Sequence, residues 1–173
     1  DSDYQTATVI VAHLGGGNTI SIHHKGKMID LISDDEGPFS TERTGGLPLK
    51  YVMPMCYEHS LEEMMRIYKR EGGLKSYAGT SNAKKIEERV AAGDEELKTV
   101  YEGYIYQIAK GIGSLATVTN GQVDRIALTG GVAYSKMVVS ELTKRVGFIA
   151  PIITVPGEHE MLSLIQISEP TRH

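Results

Sequence analysis

One cysteine, Cys56, and no tryptophan occur among the 173 residues. A single thiol can close no internal disulfide and supplies no thiolate cluster for zinc. Cys56 is expected to be buried as a small hydrophobe. No run of about 18 apolar residues exists, so the sequence offers no transmembrane helix and no membrane association is expected. Basic tracts are missing too: 18 Lys and Arg face 22 Asp and Glu, a formal net charge of -4. Nucleic-acid surfaces rest on phosphate neutralisation, so no nucleic-acid partner is expected. The opening Asp1-Ser2-Asp3-Tyr4 has neither a basic nor an apolar region, so no secretory leader is expected, and a cytoplasmic protein fits best. Hydrophobic residues at 40% and charged residues at 23% match a globular domain whose length allows a sizeable core.

Glycine is plentiful, with 19 copies, many of them paired at the ends of apolar runs. Thr8–Ala12 is a β-branched run ending near Gly15-Gly16-Gly17, and Thr19–His23 alternates with the period of a half-buried strand. Lys25-Gly26 turns the chain into a third strand, Lys27–Leu31, which predicts an antiparallel β-meander. A Gly/Pro/Asp/Glu-rich loop over Ser33–Pro48 follows, then a helical patch, Leu49–Tyr57, interrupted at Pro54. The capping box Ser60-Leu61-Glu62-Glu63 opens a helix to about Arg70, stopped by Gly72-Gly73. A further helix spans about Ala83–Ala92. From Asp94 an apolar stripe at steps of three and four, Leu97 to Ala116, predicts the longest helix. Gly111 and Gly113 weaken that helix, which predicts close approach of another backbone. Arg125–Thr129, Gly130-Gly131, a helix over Ser135–Arg145 and Ile152–Val155 form a βαβ unit with parallel strands.

Four places can carry chemistry, each with a structural alternative. His13-Leu14-Gly15-Gly16-Gly17-Asn18 exposes backbone N–H groups to an anion, with Asn18 and His13 as further donors, or is a tight turn with a structural histidine. Thr129-Gly130-Gly131 ends a strand before a helix, where open α/β sheets bind ligands, or simply lets helix and strand pack closely. Arg43, on a glycine-flanked loop, can cover a transferring phosphoryl group, or pair at the surface with Glu42 or Glu36. Glu158 and Glu160 can hold magnesium, or complement a helix dipole. Tyr101, Tyr104 and Tyr106 are expected on or beside the core face, and Lys84–Arg89 as a solvated helix face. His23 and His24 flank a hairpin without a partner at ligand spacing.

Five stretches in order resemble the butyrate kinase branch of the acetate kinase family: Val11–Gly17, Glu36–Pro48, Tyr106–Ser114, Leu128–Ser135 and Arg145–Met161. The resemblance implies an α/β fold, the ribonuclease-H-like C-terminal domain of the actin/hexokinase/Hsp70 superfold, over residues 1–161. By that resemblance Gly15, Gly16, Gly17 and Asn18 contact nucleotide phosphates, His13 meets the phosphoryl group and Arg43 stabilises the transition state. Gly130, Gly131, Val132 and Tyr134 form the adenosine site. Asn82, Ala83 and Lys84 flank the adenine, with Asn and Lys where the family has Asp and Arg, and Glu158 or Glu160 approaches Mg2+.

The implied activity is transfer of the ATP γ-phosphoryl group to butyrate, with ATP/ADP and Mg2+ as cofactors. Alternatives are another short acid, such as acetate, propionate or isobutyrate, or a non-catalytic ATP-binding module. The resemblance also implies a missing N-terminal domain, an inactive isolated fragment and a homo-oligomer when intact. Residues 162–173 break the helix expected after Met161 and read like a translated library adapter, so they are taken as non-native.

Overall fold

A computed structural model describes residues 4–157. Glu158, Glu160 and the tail over 162–173 lie outside the described residues. Three strands open the chain: β1 (Thr8–Leu14), β2 (Asn18–His24) and β3 (Lys27–Ile32). β1 and β2 pair antiparallel, as do β2 and β3, with an irregularity between Ile22 and His23. Later strands β4 (Arg125–Gly130) and β5 (Ile152–Pro156) run parallel to β1 and to one another. The sheet order is β3-β2-β1-β4-β5, so the expected meander and βαβ unit share one sheet.

Strand alternation sets the core. Ile10, Ala12, Leu14, Ile20, Ile22, Ile126 and Leu128 point to one face and are buried against helices. The main one is α5 (Glu95–Ala116), which buries Leu97, Tyr101, Tyr104, Ile105, Ile108 and Ile112, a stripe at helical spacing. Asp94 caps it by accepting from Leu97 N at 3.1 Å. Helix α6 (Lys136–Val146), capped by Ser135, adds Val138, Leu142 and Val146. Helix α4 (Ala83–Ala91) adds Ile86.

Several expectations need correction. Helix α1 (Leu49–Glu58) passes through Pro54 unbroken, since one missing donor on an exposed helix does not halt it; α1 buries nothing. Cys56, which lies on α1, is therefore exposed rather than buried. The capping box is real: Ser60 N donates to Glu63 at 2.8 Å and the Ser60 hydroxyl accepts from Glu63 N. Helix α2 (Leu61–Arg66), however, widens into a π-helical turn over Ile67–Glu71. Gly72 is extended and stops that run as expected, but a short helix that was not expected, α3 (Gly73–Ala78), follows at once. Gly73 takes φ +60 there, pressed against the Ser40 carbonyl. Gly111 meets side chains, chiefly Ile20, rather than another backbone, and Gly113 faces open space. Tyr106 is exposed, whereas Tyr101 and Tyr104 are core.

Candidate functional site

Sheet register gathers the glycine turns. His13 of β1 stands opposite Thr129 of β4, and Gly130 stands opposite Pro156 of β5. Three parallel strands thus end together, and the chain leaves them through Gly15-Gly16-Gly17, Gly130-Gly131 and Gly157. Gly130 N donates to Gly157 O at 3.1 Å. The His13 Nδ1 lies 3.0 Å from the Thr129 hydroxyl, so the imidazole of β1 is held by the end of β4, while its Nε2 faces Gly15. This edge, the carboxyl end of a parallel array, is where open α/β sheets present ligand sites.

The glycines serve different ends. Gly130 has φ +82 and ψ 177, and a Cβ there would stand 2.3 Å from the Leu14 carbonyl oxygen. Only glycine fits that conformation. None of Gly15, Gly16 or Gly17 has a positive φ. A Cβ on Gly15 or Gly16 would meet nothing nearer than 3.7 Å or 3.6 Å, ordinary contact distances. Gly17 is different: a Cβ would lie 2.6 Å from Asp34 Oδ2 and 3.2 Å from Arg43 Nε. Backbone conformation therefore does not require the triplet. The turn offers bare main chain, with Arg43 beside it.

Arg43 is placed by a network of hydrogen bonds. The Ser40 hydroxyl donates to Gly16 O, and the Thr41 hydroxyl donates to Gly15 O at 3.1 Å, so the loop clasps the glycine turn. Leu74 N and Lys75 N, at the start of α3, donate to the carbonyls of Ser40 and Thr41 at 2.9 and 3.0 Å. Arg43 N donates to the Ser40 hydroxyl, and Arg43 O accepts from Ser40 N, each at 3.0 Å. Its guanidinium pairs with Asp34, not with Glu42 or Glu36 as expected. The loop folds back over the turn and brings together residues nine apart in sequence.

Other expected residues fall as follows. Asn18 is fully buried, and its amide donates to Phe39 O at 3.0 Å, which corrects its expected place as a side-chain donor to an anion. It props the Arg43 loop instead. Val132 is buried and Tyr134 exposed in a 3-10 turn over Gly131–Tyr134, while Gly131 has open space on its Cβ side. Asn82 caps α4, accepting from Lys85 N at 3.2 Å, with Ala83 and Lys84 in the first turn. The two segments are tied by Glu87, expected on a solvated face: one of its oxygens accepts from Tyr101 at 2.6 Å and from the Ser135 hydroxyl.

Nearby tyrosines are perturbed. Burial, and then a hydroxyl donated to Asp35, push Tyr68 up to about 12. Tyr101 and Tyr104 rise further, mainly by burial. His23 sits between the Tyr4 hydroxyl at 2.9 Å and the Ser21 hydroxyl at 3.0 Å; burial lowers its pKa. His24 bonds the Thr8 hydroxyl at 2.8 Å. Sequence reasoning missed Asp34, Ser40, Thr41 and Ser135. Ser135 alone had a readable signal, as a helix cap before an apolar run. No group of three or more potential metal-ligating side chains, and no helix apolar and long enough to cross a membrane, occurs among the described residues.

The sequence model of the acetokinase family matches residues 2–153. The chain belongs to that family. Three solved structures share its fold. Acetate kinase from Porphyromonas gingivalis superposes with a TM-score of 0.81 at 21% identity, over 96% of this chain and 49% of its own. Acetate kinase from Entamoeba histolytica gives 0.83 at 19%, over 95% and 52%. A propionate kinase from Francisella tularensis gives 0.80 at 20%, over 92% and 48%. The chain spans about half the length of these three solved kinases. Its α/β architecture is that of the actin/hexokinase/Hsp70-like superfold.

Proposed function

We propose that this chain is the nucleotide-binding half of a carboxylate kinase, which needs an N-terminal partner domain to act. The observation that carries the reading is Arg43 held beside the bare Gly15–Gly17 turn at the joined ends of β1, β4 and β5. Main-chain amides and a guanidinium at such a place suit a polyphosphate. ATP binds there, its adenosine over Gly130, Gly131, Val132 and Tyr134 and flanked by Asn82, Ala83 and Lys84. A carboxylate oxygen of the acid attacks the γ-phosphorus in line, the bond to the β–γ bridging oxygen breaks, and ADP leaves. Arg43 offsets the charge on the equatorial oxygens, and His13 hydrogen-bonds the group in transfer. Mg2+ travelling with the nucleotide would neutralise phosphate charge, held by Glu158 or Glu160.

The acid we favour is butyrate, because Val11–Gly17 and Glu36–Pro48 resemble the butyrate kinase branch. Acetate and propionate, named for the structural neighbours, are the competing acids. The intact enzyme works in the cytoplasm as a homo-oligomer, and the isolated chain makes no acyl phosphate. Calorimetric titration of this chain with Mg-ADP tests the site, with Gly131→Arg as control. That position has open space, so the variant should fold and lose binding. Retained binding would place the adenosine elsewhere. Once the N-terminal half is restored, a panel of acids reads the substrate, and Arg43→Ala should lower kcat far more than nucleotide affinity. Equal losses in both would reduce Arg43 to a binding residue.

A further inference from the structure

Asp34 enters the site only as the partner of Arg43, and its carboxylate lies across the glycine turn. Its Oδ2 and Cβ are the two nearest atoms to a Cβ built on Gly17, at 2.6 and 3.0 Å, and Arg43 Nε comes next at 3.2 Å. The same carboxylate is the ion-pair partner of the Arg43 guanidinium. A carboxylate offers a guanidinium fork two acceptor oxygens in a plane, the face a phosphate also offers. We propose that Asp34 is an internal stand-in for ligand phosphate. It keeps Arg43 aimed over the Gly15–Gly17 turn, and an incoming phosphoryl group displaces it, so Asp34 sets affinity for phosphate-bearing ligands. The inference rests on reading that turn as a phosphate cradle.

Three observations support an exchange of this kind. The pair is reachable from solvent, with side chains 35% and 24% exposed for Arg43 and Asp34. Breaking it leaves the loop in place, because Arg43 is held through its own main chain by Ser40. Charge also favours the ligand: a diphosphate brings more negative charge to Arg43 than one carboxylate does, whereas a monoanion brings no more. Asp34 thus acts as an affinity filter and takes no part in bond making.

The test is calorimetric titration of the 173-residue chain with Mg-ADP and, separately, with inorganic pyrophosphate. Asp34→Asn keeps the shape and removes the competing charge. It should bind both ligands about two- to fivefold tighter, the worth of an exposed ion pair. The gain should vanish in the Asp34→Asn, Arg43→Ala double variant. Unchanged or weaker binding by Asp34→Asn, with the original chain still binding, overturns the inference and leaves the cradle standing. No binding by any folded variant or by the original chain overturns both. Should Asp34→Asn fail to fold, Asp34→Ser and the NMR signal of Arg43 Nε–H in the original chain decide. That signal should move when pyrophosphate is added, and a static signal counts against the exchange.

Discussion

Replacing Gly130 by alanine should destabilise the domain sharply, while the same change at Gly131 should not. Gly130 takes φ +82 and ψ 177, a region that side-chain-bearing residues enter at a cost of about 1–3 kcal/mol. The new Cβ would also stand 2.3 Å from Leu14 O, 2.8 Å from its carbonyl carbon and 2.9 Å from its nitrogen. Those atoms belong to the main chain of a central strand, so they cannot swing aside, and overpacking adds roughly 1–3 kcal/mol. Together the loss is about 2–6 kcal/mol with a midpoint near 4, a large part of a stability of roughly 5–15 kcal/mol. For a domain of this size it corresponds to a drop in Tm of about 10 °C. Gly131 has no positive φ and no atom within 4 Å of its Cβ position, so Gly131→Ala should melt within about 1 °C of the original. Thermal unfolding of the two variants side by side is the assay. Equal melting temperatures would refute the claim that the ends of β1 and β4 are packed backbone against backbone.

Other consequences can be measured on the same chain. Glu87→Ala would leave the hydroxyls of Tyr101 and Ser135 without their acceptor and should cost about 1–3 kcal/mol in urea unfolding, whereas exposed Glu88→Ala should be near neutral. The pKa values of Glu63, Asp94 and Glu141 are lowered, the first two chiefly by accepting main-chain N–H bonds and the third by Lys144. Their stabilisation is complete above the ordinary values of 4.5 and 3.8 and drains away as pH falls through the lowered ones, so an acid titration should show Tm falling below about pH 4.5. A flat profile there would contradict those caps. Tyr68, at about 12, and Tyr101 and Tyr104, higher still, keep their protons near pH 11. Phenolate absorbance of the folded chain at that pH should therefore account for no more than six of the nine tyrosines.

The sequence disclosed the sheet and the long helix because each is written in a local period. Alternation at Thr19–His23 and the three-four stripe from Leu97 to Ala116 needed no knowledge of the rest of the chain. Terminal signals were equally local, which is why Ser60, Asp94 and the glycine ends of β1 and β4 could be read. What escaped was non-local. Asp34 reaches Arg43 only because the loop folds back, and Glu87 reaches Ser135 across 48 positions. Helix α3 was hidden for a related reason. Its N-terminus is satisfied by carbonyls of Ser40 and Thr41 rather than by a capping side chain, so no neighbouring residue announces it. Asn18 reads as a donor beside a glycine turn, and only the packed structure reveals that its amide points inward to Phe39.

The glycines themselves separate a turn from a cradle. A glycine is explained by the fold when its φ is positive, as at Gly130, or when a side chain would collide, as at Gly17. Gly15, Gly16 and Gly131 meet neither condition, and all three stand where parallel strands end. Neither φ nor a side-chain collision accounts for them, a trait they share with Gly103 and Gly113 on α5; what sets Gly15, Gly16 and Gly131 apart is their place at the strand ends, where the proposed nucleotide site lies. Arg43 and His13 flank that same bare surface, one held by Ser40 and Asp34, the other by Thr129. Structural need thus accounts for Gly17 and Gly130, which pack the strand ends together, while Gly15, Gly16 and Gly131 leave bare the main chain at which we propose the phosphates bind.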